Sequence, residues 1–91
     1  MSELKIQHLI TLTELLSKGA QNNFISITTS SLGKNIKRSQ QAASIHLLEL
    51  EQNGFIERIM SGRKVSVKLT PRGYDQIMNL FNLLKTSLES I

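Results

Sequence analysis

The sequence predicts an α+β domain, mainly α, in the order helix, strand, helix, helix, strand, loop, strand and a long final helix. Three observations predict it. Ser39 to Arg58, SQQAASIHLLELEQNGFIER, reads as a helix that opens on small polar side chains and stops at a glycine before a strand. Phe55–Met60 and Val65–Leu69 are two short apolar runs separated by Ser61-Gly62-Arg63-Lys64, the pattern of a hairpin with a basic tip. Thr70-Pro71 then joins a capping hydroxyl to a proline, whose missing N–H costs nothing in a first helical turn.

Each element has its own warrant. Glu3 to about Lys18 is helical, with Ile6, Leu9, Ile10, Leu12, Leu15 and Leu16 forming a broad apolar stripe before Gly19. Gln21-Asn22-Asn23 is loop, and Phe24–Ile27 is a brief strand. Thr28 or Thr29 caps a second helix to about Asn35 or Ile36, with Leu32 and Ile36 facing inward. Gly33 within it costs roughly 1 kcal/mol against alanine. The third helix, Ser39–Asn53, buries Ala43, Leu47 and Leu50 at i, i+4 and i+7. Its opposite face offers Gln40, Gln41 and Ser44 to base edges or phosphates. In the second strand of the hairpin Val65, Val67 and Leu69 alternate inward. No repeat or linker interrupts the chain, and one domain, 1–91, is expected.

This order is the winged helix-turn-helix arrangement, in which the third helix enters a DNA major groove and the hairpin is the wing. Charge is distributed to match. The net charge is +4. Between Lys34 and Arg72 eight basic residues (Lys34, Lys37, Arg38, Arg58, Arg63, Lys64, Lys68, Arg72) face three acidic ones, Glu49, Glu51 and Glu57. The remainder is net negative, so the excess sits around the third helix and wing, an electrostatic footprint for phosphates. The bland alternative is solvated surface charge. With no cysteine there is no disulfide framework and no thiolate chemistry, as in a reducing cytosol, and a cytoplasmic protein is expected. No long apolar run suggests a signal peptide or membrane contact.

Ser39-Gln40-Gln41-Ala42-Ala43-Ser44 and Leu50-Glu51-Gln52-Asn53-Gly54-Phe55-Ile56 resemble winged-helix transcriptional regulators. The likeness is greatest to the amino-terminal DNA-binding domain of archaeal CTP-dependent riboflavin kinase regulators. Val67-Lys68-Leu69-Thr70-Pro71-Arg72-Gly73 also resembles the wing-to-helix junction of the MarR group. The likeness spans about Phe24–Ile77 and implies sequence-specific binding to double-stranded DNA. Gly33 matches a small-residue position of the family, which implies a packing role where the third helix crosses closely. The kinase barrel is absent, so the chain is either a free-standing regulator or the DNA-binding fragment of a larger regulator-kinase. Three positions depart from the family pattern. Lys37 stands where the turn usually holds glycine, and a positive φ there costs on the order of 1 kcal/mol. Arg38 stands where an aliphatic residue is usual, and either snorkels out or points at a phosphate. Ile45 replaces a frequent arginine; it cannot bond to a guanine edge, though it can touch a thymine methyl.

The DNA-binding candidates are therefore Lys37, Arg38, Ser39, Gln40, Gln41, Ser44 and Ile45, with Arg63 and Lys64 on the wing. A catalytic site, a cofactor and a metal are not expected. His8 and His46 lack metal-type spacing, there is no Gly-rich phosphate loop or HExxH, and Glu49 and Glu51 read as solvated on different helix faces. In the final helix Tyr74, Ile77, Phe81, Leu84, Leu88 and Ile91 repeat at spacings of 3 and 4, an a/d seam widened by Leu80 and Leu83. A helix over 71–91 is about 30 Å long, more than this small core covers. The seam therefore predicts a homodimer on a palindromic operator; the bland alternative is that the first half of this helix packs on the first helix and the rest is truncated or frayed. The alternative is a winged-helix protein-interaction module in which Ile45 and Leu48 meet the partner.

Overall fold

Hydroxyl caps open three of the helices in the computed structural model, which describes residues 4–90. Thr28 Oγ1 accepts from the Ser31 N–H at 3.1 Å, Ser39 Oγ from Ala42 at 3.0 Å, and Thr70 Oγ1 from Gly73 at 3.1 Å. Each satisfies a backbone donor that the helix itself leaves free. The elements are α1 (Ile6–Ser17), β1 (Ile25–Ile27), α2 (Thr29–Asn35), α3 (Gln40–Gln52), β2 (Ile56–Ser61), β3 (Lys64–Leu69) and α4 (Pro71–Glu89). The expected start of the first helix at Glu3 lies outside the described residues.

The sheet is antiparallel in the order β1-β3-β2. Its register pairs Ile56 with Leu69, Arg58 with Val67 and Ser61 with Lys64, while Ile25 lies opposite Val67 on the other edge. Val65, Val67 and Leu69 point into the core, where they meet Leu12 and Leu15 of α1, Leu32 and Ile36 around α2, and Ala43, Leu47 and Leu50 of α3. The alternation on β3 and the i, i+4, i+7 set on α3 thus bury the same apolar volume from two sides. β1 is a residue shorter than expected. Phe24 stays outside it, 41% exposed, with Lys68 Nζ 5.9 Å from its ring centroid.

α4 corrects the proposed seam. Ile77 is buried in the domain's own core, and Tyr74 is half-buried beside it. The residues from Phe81 to Ser90 are all exposed. Heptad spacing does not distinguish a helix turn packed on its own domain from one packed on a second chain. The first two turns of α4 belong to the former, so Ile77 is not available to a partner.

Candidate nucleic-acid interface

The turn between α2 and α3 is tightly built. The Arg38 N–H donates to Gly33 O at 2.8 Å. A Cβ on Gly33 would lie 2.8 Å from Arg38 O and 2.9 Å from Ser39 O, both backbone atoms that cannot step aside. The close contact inferred from Gly33 is therefore real, but it is with the turn that feeds α3 and not with the body of that helix. Lys37 adopts φ 58°, the left-handed conformation that glycine would take without strain. Arg38 is exposed, so the aliphatic position of the family pattern is here a side chain in water.

Ser39, Gln40, Gln41, Ser44 and Ile45 are exposed on the side of α3 away from Ala43, Leu47 and Leu50. Leu48 extends this outward face; it is 41% exposed and Ile45 is 55% exposed. Arg63 and Lys64 are exposed on the β2–β3 hairpin. Its loop is two residues, Gly62-Arg63, because Ser61 pairs with Lys64. Gly62 has φ 61°, as a type II′ turn requires of its first central residue. Lys64 also borders a hollow shared with Lys18, Ser26, Thr28 and Ser31.

Both flanks of α3 are clamped by polar contacts that join distant segments. On one side Arg58 of β2 bonds Glu51, with Nη2 at 3.0 Å and Nε at 3.2 Å from Oε1. On the other, His8 of α1 is buried with Nε2 2.9 Å from Glu49 Oε1. The Lys5 N–H donates to His8 Nδ1 at 3.4 Å, which leaves the proton on Nε2 for the carboxylate. Thr11 Oγ1 donates to Gln7 O at 2.9 Å, so at 3.3 Å from it His46 Nδ1 is the donor. The two imidazoles meet edge to face, 5.4 Å between centroids. Burial, then the neighbouring His8 and Arg38, lower the His46 pKa against an opposing pull from Glu49. The His8 hydrogen bond holds the Glu49 carboxyl below its ordinary value. Glu49 is solvated, as expected, but its carboxylate is also tied to His8, and His8 is a core histidine. The signal was present: His8 falls on the period of Thr11, Leu12 and Leu15, one face of α1.

Phe81, Leu84 and Leu88 are 57, 55 and 71% exposed and line one shallow apolar hollow with Lys85 and Glu89. Ile91 lies outside the described residues. Among the described residues no three His, Cys, Asp or Glu side chains are grouped to hold a metal ion, and no helix is long and apolar enough to cross a membrane.

A helix-turn-helix seated on a sheet, followed by a two-stranded wing, defines a winged helix-turn-helix domain. The comparisons agree with that fold. No protein-family model matches the chain. A riboflavin kinase of Cenarchaeum symbiosum is 46% identical over 52 residues, which is 57% of this chain and 27% of that protein. The riboflavin kinase of Pyrococcus abyssi is 29% identical over 87 residues, 96% of this chain and 41% of that protein. The chain thus spans well under half the length of these relatives. Among solved structures, a MarR family protein from Bacillus stearothermophilus superposes with a TM-score of 0.79 at 17% identity, over 98% of this chain and 59% of that one. The Staphylococcus aureus MepR–DNA complex gives 0.78 at 18% identity, over 96% and 69%. The fold is that of MarR-type winged-helix regulators, and the resemblance to archaeal riboflavin kinases is partial, as the motifs implied.

Proposed function

We propose that this protein is a non-enzymatic, cytoplasmic transcriptional regulator that binds double-stranded DNA sequence-specifically, as a homodimer on a palindromic operator. The observation that carries the reading is the mounting of α3. Its inner side is fully buried, both flanks are clamped, and its outer side presents Gln40, Gln41, Ser44, Ile45 and Leu48. Lys37 and Arg38 precede that face, and Arg63 and Lys64 stand on the wing, so phosphate contacts can orient a helix whose own side chains read bases. The fold match to regulators, one of them a DNA complex, supports the same reading. So does the apolar strip Phe81, Leu84 and Leu88 for the homodimer, since a second copy would remove it from water. Two reading helices related by a two-fold axis would then meet major grooves roughly 34 Å apart. The riboflavin kinase relatives favour one refinement, that this winged helix serves as the DNA-binding part of a regulator-kinase.

Fluorescence anisotropy with duplex DNA at several salt concentrations tests the reading. Affinity should fall linearly on logarithmic axes, and Arg63→Ala should weaken all sequences alike and flatten the slope by about one unit. Gln41→Ala should instead relax preference at one position per half-site. Binding no stronger than that of an unrelated basic protein at low salt would overturn it.

A further inference from the structure

We propose that the half-site read by α3 is built of A·T pairs, recognised through thymine methyl groups and adenine edges. The proposal rests on the DNA-binding reading above and adds the chemical class of base. Three observations converge on it.

The first is a missing chemistry. Ser39 to Asn53 contains no lysine and no arginine. Guanine presents two acceptors, O6 and N7, to the major groove, and arginine or lysine satisfies them best. The helix has no such donor on its reading face. His46, its one ring donor, is turned toward Thr11 of α1.

The second is what occupies the face instead. Gln41, Ile45 and Leu48 follow at i, i+4 and i+7 on one side of α3. Two large aliphatic side chains, Ile45 and Leu48, stand in water here, beside Leu47, which is fully buried. The thymine C5 methyl is the apolar group that the major groove offers, and Ile45 and Leu48 match it. The Gln41 amide can donate to adenine N7 and accept from N6 at once. Amide and aliphatic readers on one strip serve both members of an A·T pair.

The third is the wing. Gly62 sets Arg63 at the tip of a two-residue turn, exposed beside Lys64. Narrow minor grooves of A-tracts concentrate negative potential and draw arginine into them. One base composition therefore suits both the helix and the wing.

Selection of bound duplexes from a random pool, followed by titration of the winner with thymines exchanged for uracil, tests this. Uracil lacks only the C5 methyl. We expect A·T-dominated half-sites, and about a fourfold loss of affinity for each contacted methyl removed. Ile45→Ala should abolish sensitivity to one such exchange while leaving the salt dependence unchanged. Being exposed, that position tolerates the substitution without loss of fold. Ile45→Arg should move the selected base toward guanine. Salt-dependent, specific binding to half-sites centred on G·C, indifferent to uracil, would overturn the proposal and leave the DNA-binding reading standing. Indiscriminate or absent binding would overturn both, and would assign Ile45 and Leu48 to a protein partner.

Discussion

Lys37 holds a left-handed backbone, φ 58°, at the one place where the chain must turn sharply into α3. Lys37→Gly should raise stability by about 1 kcal/mol in urea unfolding, because glycine meets no Cβ clash there. The same variant should weaken DNA binding and lower the salt slope, because the cation is lost. Opposite signs in the two assays would show that the turn keeps a strained lysine for its charge. The His8–His46–Glu49 cluster makes a second prediction at this scale. His46 is a base whose pKa falls on folding from 6.5, so the unfolded chain binds more protons below that value. Its contribution to stability is present above pH 6.5 and is lost as pH falls through the lowered value. Glu49, held below 4.5, loses its contribution only further down, as pH falls through its own lowered value. Acidification should therefore lower the melting temperature from about pH 6.5 downward. His46→Gln should flatten the upper part of that dependence. Lys5 and Arg38 are the other charges that act on the pair.

At the scale of elements, α4 has two halves with different partners. Ile77→Ala should destabilise the fold by about 2–5 kcal/mol, the usual range for truncating a buried aliphatic side chain. Leu84→Asp should leave the circular dichroism and melting of the domain nearly unchanged but yield monomers in light scattering, since Leu84 touches water in the single chain. A wild-type monomer at tens of micromolar would remove the basis for a two-fold operator. The sequence left the division open, because spacings of 3 and 4 describe any helix with one apolar side. Where α1 crosses α4 decides which turns are covered, and that crossing is a tertiary fact. The caps at Thr28, Ser39 and Thr70, the alternation of β3 and the inner face of α3 were legible, because each is fixed by neighbours within a few residues. The His8–Glu49 bond was not. It joins residues 41 apart, and Glu49 occupies a flank of α3 that reads as solvent until α1 is laid beside it. The reading face was legible as a list of exposed side chains. The clamps that set its rotation, through Arg58 and His8, were not.

For the whole molecule, the longest dimension is 48 Å against 27 and 25 Å across. The exposed end of α4 carries part of the apolar surface that the domain leaves uncovered; Ile6, Ile10, Ile59 and Met60 lie elsewhere on it. On α4 the strip Phe81, Leu84 and Leu88 offers a second copy three apolar side chains, where a typical stable interface buries ~800 Å² per partner. A homodimer held by so little would come apart at low concentration, so a palindrome would be filled in proportion to the square of the number of chains in the cell. Doubling the copy number would then raise occupancy about fourfold where monomers dominate, and a gene under such control would respond to dosage like a threshold.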